Sequence, residues 1–321
     1  NENISYKGEG KVFSTPNRLV LLFEGINSEI YKKSEEIKGP STSAPINALE
    51  GFVKSNQTDK KNIFKKKIEK GEFYFFKKPA KKIKTTDLLN RNIPELLKKI
   101  QWKKSMKWGD FDLYWGRPLK SILALFGSTK LNFSFHHLHA SNTTCLDKEL
   151  EDKTKKFNSF KSYLSFLKKF GIILDHNLRK NFIEKELIKI SKKINLKIDI
   201  GEKLLDEVSN LVEKPRVLVC NFDQKFLEIP KEILIITMQH HQKYFPTFDK
   251  KNILTNNFLV VSNNQDSKGF IKLGNESVVD ARLNDAQFFW QRNKSQSLVK
   301  QVSRLKNMNY FKGLGTYFDK I

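Results

Sequence analysis

The chain has 321 residues, 39% of them hydrophobic with 26 Phe, and a formal net charge of +24 at a pI near 9.8. Of its 59 basic residues, eight are arginine and the rest lysine. The length allows two or three domains. Cys145 and Cys220 stand far apart without CxxC spacing, which excludes a disulfide scaffold and points to a reducing compartment, the cytoplasm. No apolar run nears the roughly 18 residues of a membrane span, and no signal pattern opens the chain, so no membrane partner is expected. The abrupt Asn1 start and the end at Ile321 suggest a fragment. The basic excess favours a polyanion, nucleic acid first, although a lysine-rich solvated surface gives the same total.

In chain order, Pro16 breaks Val12–Phe23, leaving Leu19–Phe23 as a short buried strand. Gly39-Pro40 and Pro45 mark a loop, and Asn47–Lys54 a helix. Lys60–Lys70 is basic with Ile63, Phe64 and Ile68 as anchors, turning at Gly71 into a strand at Glu72–Phe76. Lys77–Lys84 reads as a basic linker. Thr86 or Asp87 caps a helix with Leu88, Leu89, Ile93, Leu96, Leu97 and Ile100 inward, divided at Pro94. Leu119–Phe126 reads as an apolar helix closed by Gly127. Lys130–His139 alternates as one strand with Phe133, Phe135, His137 and His139 on one face, and Ala140–Thr144 is a polar turn. Ser159–Phe170 is a helix ended by Gly171. Ile172–Leu174 is a short strand, and Asp175 caps a helix with Leu178, Phe182, Leu187 and Ile190 inward. Leu204–Val212 is helical, Arg216–Cys220 a strand, and Pro230 opens a helix reaching His240. Pro246 starts a hairpin running to Val261. The last long helix starts at Gly274, and Leu298–Met308 is amphipathic. The fold class is α+β, mixed α/β and multi-domain.

Three stretches invite a functional reading. Lys104, Lys107 and Arg117 interleave with Trp102 and Trp108, a pattern that either stacks unpaired bases beside cations or buries the indoles and leaves the lysines as flanks. His240, His241, Gln242 and Lys243 cluster at a helix-to-strand corner followed by Tyr244 and Phe245, where packing is the simpler role for the two rings. Arg282 is either a helix-face ion pair or a phosphate contact. His136, His137, His139 and Cys145 match no standard zinc spacing, so no metal is assigned. Gly313-Leu314-Gly315-Thr316 lacks the rest of a phosphate loop and reads as a turn. No Walker loop, HExxH or Gly-x-Ser-x-Gly occurs, and no catalytic residue is assigned.

Several motifs carry a resemblance: Thr15-Pro16-Asn17-Arg18-Leu19, Lys38-Gly39-Pro40, Glu50-Gly51-Phe52, Lys104-Ser105-Met106-Lys107-Trp108-Gly109 and Arg117-Pro118. They continue with Asn142-Thr143-Thr144, Leu204-Leu205-Asp206-Glu207-Val208, Leu211-Val212-Glu213, His241-Gln242-Lys243-Tyr244-Phe245-Pro246, Val261-Ser262-Asn263, Gly274-Asn275-Glu276, Ala281-Arg282-Leu283-Asn284-Asp285-Ala286 and Leu314-Gly315-Thr316. In this order they resemble the β subunit of the bacterial, two-subunit glycyl-tRNA synthetase. The chain departs from that pattern at Cys145-Leu146-Asp147-Lys148, where the family has Gly-His-Arg-Phe, and at His240, where it has a small polar residue or Asn.

The resemblance implies a chain that grips tRNA(Gly) and docks on an α subunit in an α2β2 assembly. The α subunit would hold the class II active site, ATP and Mg2+, so that this chain binds no cofactor. It also implies a region 1–115 of α+β type, a central domain 116–290 similar to the editing-type domain of the phenylalanyl-tRNA synthetase β chain, and at 291–321 the start of a helical HD-type domain. Lys104, Lys107, Trp108, Arg117, His240, His241, Gln242, Lys243 and Arg282 are then candidates for contact with tRNA or α. A stand-alone RNA-binding module and a deacylase of mischarged tRNA using the histidines are the alternatives.

Overall fold

A computed structural model describes residues 4, 6–144 and 155–321, so Cys145 and the segment that replaces Gly-His-Arg-Phe lie outside the described residues. The architecture mixes helices and antiparallel strands, as the α+β reading expects. Contacts divide the chain into two units, residues 1–11 with 22–163, and residues 12–21 with 164–321. No described helix is long and apolar enough to cross a membrane.

The chain opens with a two-stranded ribbon, β1 (Lys7–Thr15) and β2 (Arg18–Glu24). The expected strand at Leu19–Phe23 is present but not buried: Leu19, Leu21 and Phe23 are exposed, whereas Arg18, Val20 and Leu22 are half-buried. Alternation in a ribbon covered on one face produces this pattern, and an apolar run alone does not reveal it.

In the first unit β4 (Glu35–Ser41), β6 (Gly71–Lys78) and β5 (Ile63–Ile68) form an antiparallel sheet with β6 central. β3 (Glu29–Lys32) pairs with β7 (Lys81–Lys84). Two expected loops are therefore strands. Gly39-Pro40 lies inside β4 at an irregularity between Lys38 and Ser41. The lysines of 77–84 end β6 and line β7, where Ile83 faces Ile30 while the charges stay wet. Helix α1 (Ile46–Ser55) packs on β4, and a Cβ at Gly39 would stand 2.8 Å from the Phe52 ring, so this position is kept clear for close packing. Helix α2 (Thr85–Lys98) starts one residue before the expected cap. Its first residue is anchored instead through Thr85, whose N–H and hydroxyl donate to the Ser28 and Asn27 carbonyls. α2 runs through Pro94, with Leu96 exposed, because Pro94 removes only one ladder bond and the neighbouring apolar face holds the rest.

From Met106 to Thr144 the chain forms two-to-four-residue strand pairs. The expected helix Leu119–Phe126 is extended instead, ending in a hairpin that pairs Leu125 with Lys130 around Gly127, whose φ is 61°. A short apolar run fits either state by periodicity. The expected single strand Lys130–His139 is cut at His136, with φ 51°, into a hairpin. Phe133 and Phe135 are buried as expected, but the turn reverses the phase, placing Ala140 inside and His139 outside.

The second unit centres on a four-stranded antiparallel sheet in the order Lys197–Ile198, Phe245–Phe248, Leu254–Ser262, Arg216–Asn221. Helices α4 (His176–Lys193) and α5 (Glu202–Ser209) contribute Ile183, Leu187, Leu205 and Val208 to the core that contains Phe245 and Leu259. α6 (Lys231–Ile236) and α7 (Phe270–Ser295) contribute Leu234, Val279 and Leu283 to a second core with Tyr244 and Phe258. Consecutive residues 244/245 and 258/259 thus enter different cores, as the two-residue period requires.

Asp175 caps α4 through the Leu178 N–H, as expected. The inner stripe, however, is Arg179, Ile183, Leu187 and Ser191, with Leu178 exposed. Ile172–Leu174 joins no sheet; the Ile173 N–H donates to the Glu213 carbonyl. α7 starts at Phe270 rather than Gly274, because the Asp266 carboxylate accepts from the Ile271 and Lys272 N–H groups. Gly313–Thr316 is a turn, and Thr316 forms a capping box with Asp319 at α9 (Tyr317–Lys320).

Candidate functional site

At the helix–strand corner, α6 gives way to one π turn over Thr237–Gln242, closed by Lys243 in the left-handed region at φ 62°. A π turn inserts an extra residue into the helical phase. Met238 stays in the core, His240 and His241 both face solvent, and the Tyr244 N–H returns to the Met238 carbonyl at 2.9 Å. No hydrogen bond to a described residue holds either imidazole.

The neighbouring side chains tie the corner down. Lys243 Nζ lies 2.5 Å from Glu207 Oε2 on α5. The Lys243 hydrogen bond holds the Glu207 carboxyl below the usual carboxylate range, with charge from Lys243, Lys203 and His240 adding. The Tyr244 ring stacks on Phe258 at 5.2 Å, and its hydroxyl donates to Asn275 Oδ1 at 2.6 Å. Burial pushes the Tyr244 phenol up to about 12, and the neighbouring Cys220 thiol up to about 12 as well. Phe245 is fully buried. Next to Asn275 on α7, Glu276 Oε1 accepts from the Asn221 N–H at 2.8 Å.

Tyr244→Phe is expected to cost about 1–2 kcal/mol, since it leaves Asn275 Oδ1 without its donor. Urea unfolding checks this. Unchanged stability would contradict a stabilising role for the Tyr244–Asn275 bond.

A second polar knot lies in the same unit. Glu213, 1% exposed, accepts from Thr15 Oγ1 at 2.8 Å and faces Arg18 Nη2 at 3.6 Å. Asn263 Oδ1 accepts from the Glu213 and Lys214 N–H groups. Arg179, fully buried, donates to the carbonyls of Ser209, Ile173, Leu174 and Ser14. Its burial depresses the guanidinium pKa, and the Glu213 charge opposes that shift. Sequence reasoning missed this pair. The available signal was Arg179 itself, four and eight residues before Ile183 and Leu187 on the inner stripe.

The remaining candidates fall into two groups. In the first unit Lys104, Lys107 and Arg117 are exposed, and Lys107 lies 3.7 Å from Asp112. Trp108 packs against the Leu113–Trp115–Phe135 cluster and donates its indole N–H to the Trp115 carbonyl, and Trp102 meets Trp115 edge-on. The inward reading of both indoles therefore holds. In the second unit His240, His241 and Arg282 are exposed, while Gln242 and Lys243 are half-buried. Among the described residues no three His, Cys, Asp or Glu side chains are grouped to hold a metal. His137 stacks on Phe111, and His139 Nδ1 lies 2.8 Å from Ser134 Oγ.

Residues 1–321 match the family described as glycyl-tRNA synthetase beta subunit. The chain belongs to this family. Similar curated relatives are the glycine–tRNA ligase beta subunits of Rickettsia akari (35% identical over 312 residues, 97% of this chain and 47% of the relative) and Dictyoglomus thermophilum (34% over 320 residues, 97% and 46%). That of Clostridioides difficile is 33% identical over 316 residues, 96% of this chain and 46% of the relative. The chain spans about half the length of the curated relatives it matches.

The stretches on which the resemblance rests meet one another in space. Lys243 reaches Glu207 and Tyr244 reaches Asn275. Thr15, Arg18, Glu213 and Asn263 close one knot. Several polar residues of these stretches therefore serve internal clamps in this chain.

Proposed function

We propose that this chain forms part of the β subunit of a heterotetrameric glycine–tRNA ligase. It supports ATP-dependent attachment of glycine to tRNA(Gly) by holding the tRNA and docking on an α subunit, which carries the active site, ATP and Mg2+ in the cytoplasm. Region 116–290 takes the place of the editing-type domain of a phenylalanyl-tRNA synthetase β chain, and 291–321 leads into a helical domain.

The observation that carries this reading is the family match over residues 1–321. The distribution of polar groups supports a binding rather than a catalytic role. Lys243, Tyr244, Glu207 and Glu213 are engaged in clamps, whereas His240, His241, Arg282, Lys104, Lys107 and Arg117 reach solvent on a chain of net charge +24. Exposed cations that neutralise phosphates release counterions and make binding salt-dependent.

Co-purification with a glycyl α subunit, and glycylation that depends on adding this chain, test the reading. Arg282→Ala is expected to weaken tRNA(Gly) binding severalfold at low salt and to lower the salt slope by about 0.9, the loss of one phosphate contact. Equal affinity at every ionic strength removes Arg282 from the interface. Ligation indifferent to the chain overturns the reading itself.

A further inference from the structure

We infer that one face of the β4–β6–β5 sheet is a platform for single-stranded RNA, built from Phe64 and Phe73 over a buried Phe75, with Lys38, Lys66 and Lys77. The inference rests on the tRNA-handling reading and assigns to it a surface outside the residues discussed above.

Directly opposed residues in an antiparallel pair share a face. Lys38 opposes Phe75, which opposes Phe64; Lys66 opposes Phe73; Lys77 opposes Glu36. These side chains therefore lie on one face as rings interleaved with cations. The other face holds Ile37, Ile63 and Phe76.

On the Phe–Lys face, Phe64 is 37% exposed and stacks at 6.1 Å and 25° on Phe75, which is buried beneath it, while Phe73 is half-buried. Lys38 Nζ sits 3.6 Å from the Phe73 ring centroid, and Lys66 Nζ 5.6 Å from that of Phe75. All three lysines are exposed. Glu36, 2.6 Å from Lys66, is the acidic group among these opposed pairs, so cations outnumber it.

An ammonium over an aromatic ring occupies the position a base takes when it stacks there, and the displaced lysine remains within reach of the adjoining phosphate. Rings accept only unpaired bases, since a duplex keeps its bases stacked inside. The charge and the exposed Phe64 ring beside the lysine-capped Phe73 together favour an unpaired RNA segment over an acidic protein, which would use the lysines and leave the rings idle.

The test uses the full chain, a short fluorescent oligouridylate, an RNA duplex of equal length, and polyglutamate. Phe64→Leu with Phe73→Leu keeps an apolar face and removes two rings. This variant is expected to weaken oligouridylate binding at least about tenfold, with duplex binding and melting temperature unchanged. Lys38→Gln with Lys77→Gln is expected to lower the single-strand salt slope by about 1.4. Unchanged oligouridylate affinity in the ring variant overturns the inference. An equal loss for duplex and single strand also overturns it, as does tighter binding of polyglutamate than of RNA. If the ring variant binds oligouridylate normally while the chain still binds tRNA(Gly), this inference fails alone. If the unmodified chain binds no RNA, the tRNA-handling reading fails with it.

Discussion

Glu213→Ala is expected to destabilise the second unit by roughly 3–5 kcal/mol, the cost typical of breaking a buried ion pair from one side. Glu213 is buried against Arg18 and Thr15, and its charge supports the fully buried Arg179. Without the carboxylate, two guanidinium groups lose the Glu213 charge while four backbone carbonyls still hold Arg179 in place. Glu213→Gln keeps the shape and an acceptor for Thr15, and is expected to cost less. The measurement is the urea midpoint followed by circular dichroism, with an unchanged slope marking a change in stability alone. A shift of a few tenths of a kcal/mol, typical of an exposed pair, would contradict the description of the knot.

Phe245→Ala is expected to cost about 3–5 kcal/mol, as large-to-small changes at fully buried aromatic positions do. Phe245 is fully buried among Ile183, Leu187, Val208 and Leu259. The result bears on how the His241–Pro246 motif is understood. A packing residue loses thermal stability when truncated. A base-stacking residue loses RNA affinity at constant melting temperature, and that outcome would reverse the assignment.

The second unit was largely legible in the sequence because its signals are local and agree with one another. Asp175 caps α4, Gly171 ends α3 (Phe160–Lys169) at φ 74°, and Lys250–Asn252 turns the hairpin between the strands containing Phe245 and Phe258. The first unit was less legible. Lys81–Lys84 is a strand because it pairs with Glu29–Lys32, Ile83 opposite Ile30, and Leu119–Phe126 is extended because Ile122–Leu123 pairs with Ala140–Ser141 and Leu125 pairs across Gly127. Both depend on partners distant in sequence or on a turn that an apolar run does not encode. At the candidate site, the corner could be read from Pro230, Pro246 and the polar run between them. The π turn could not, since one extra residue in a helix leaves no compositional mark. Nor could the partners of Lys243 and Tyr244, which come from other helices.

The division of the chain, in which residues 12–21 belong with 164–321, has a consequence for synthesis. Ser14 and Thr15 are made well before the groups they bond, Arg179 and Glu213, which lie 165 and 198 residues later. At about 5–20 residues per second, the ribosome delivers Glu213 roughly 10–40 s after Thr15. During that interval Thr15 and Arg18 have no buried acid to receive them, because the chain between them and Glu213 is still being made. The second unit therefore closes around a segment made well before the rest of it, and a translational pause before residue 213 prolongs the time in which Phe13 and Val20, half-buried in the folded chain, stay uncovered.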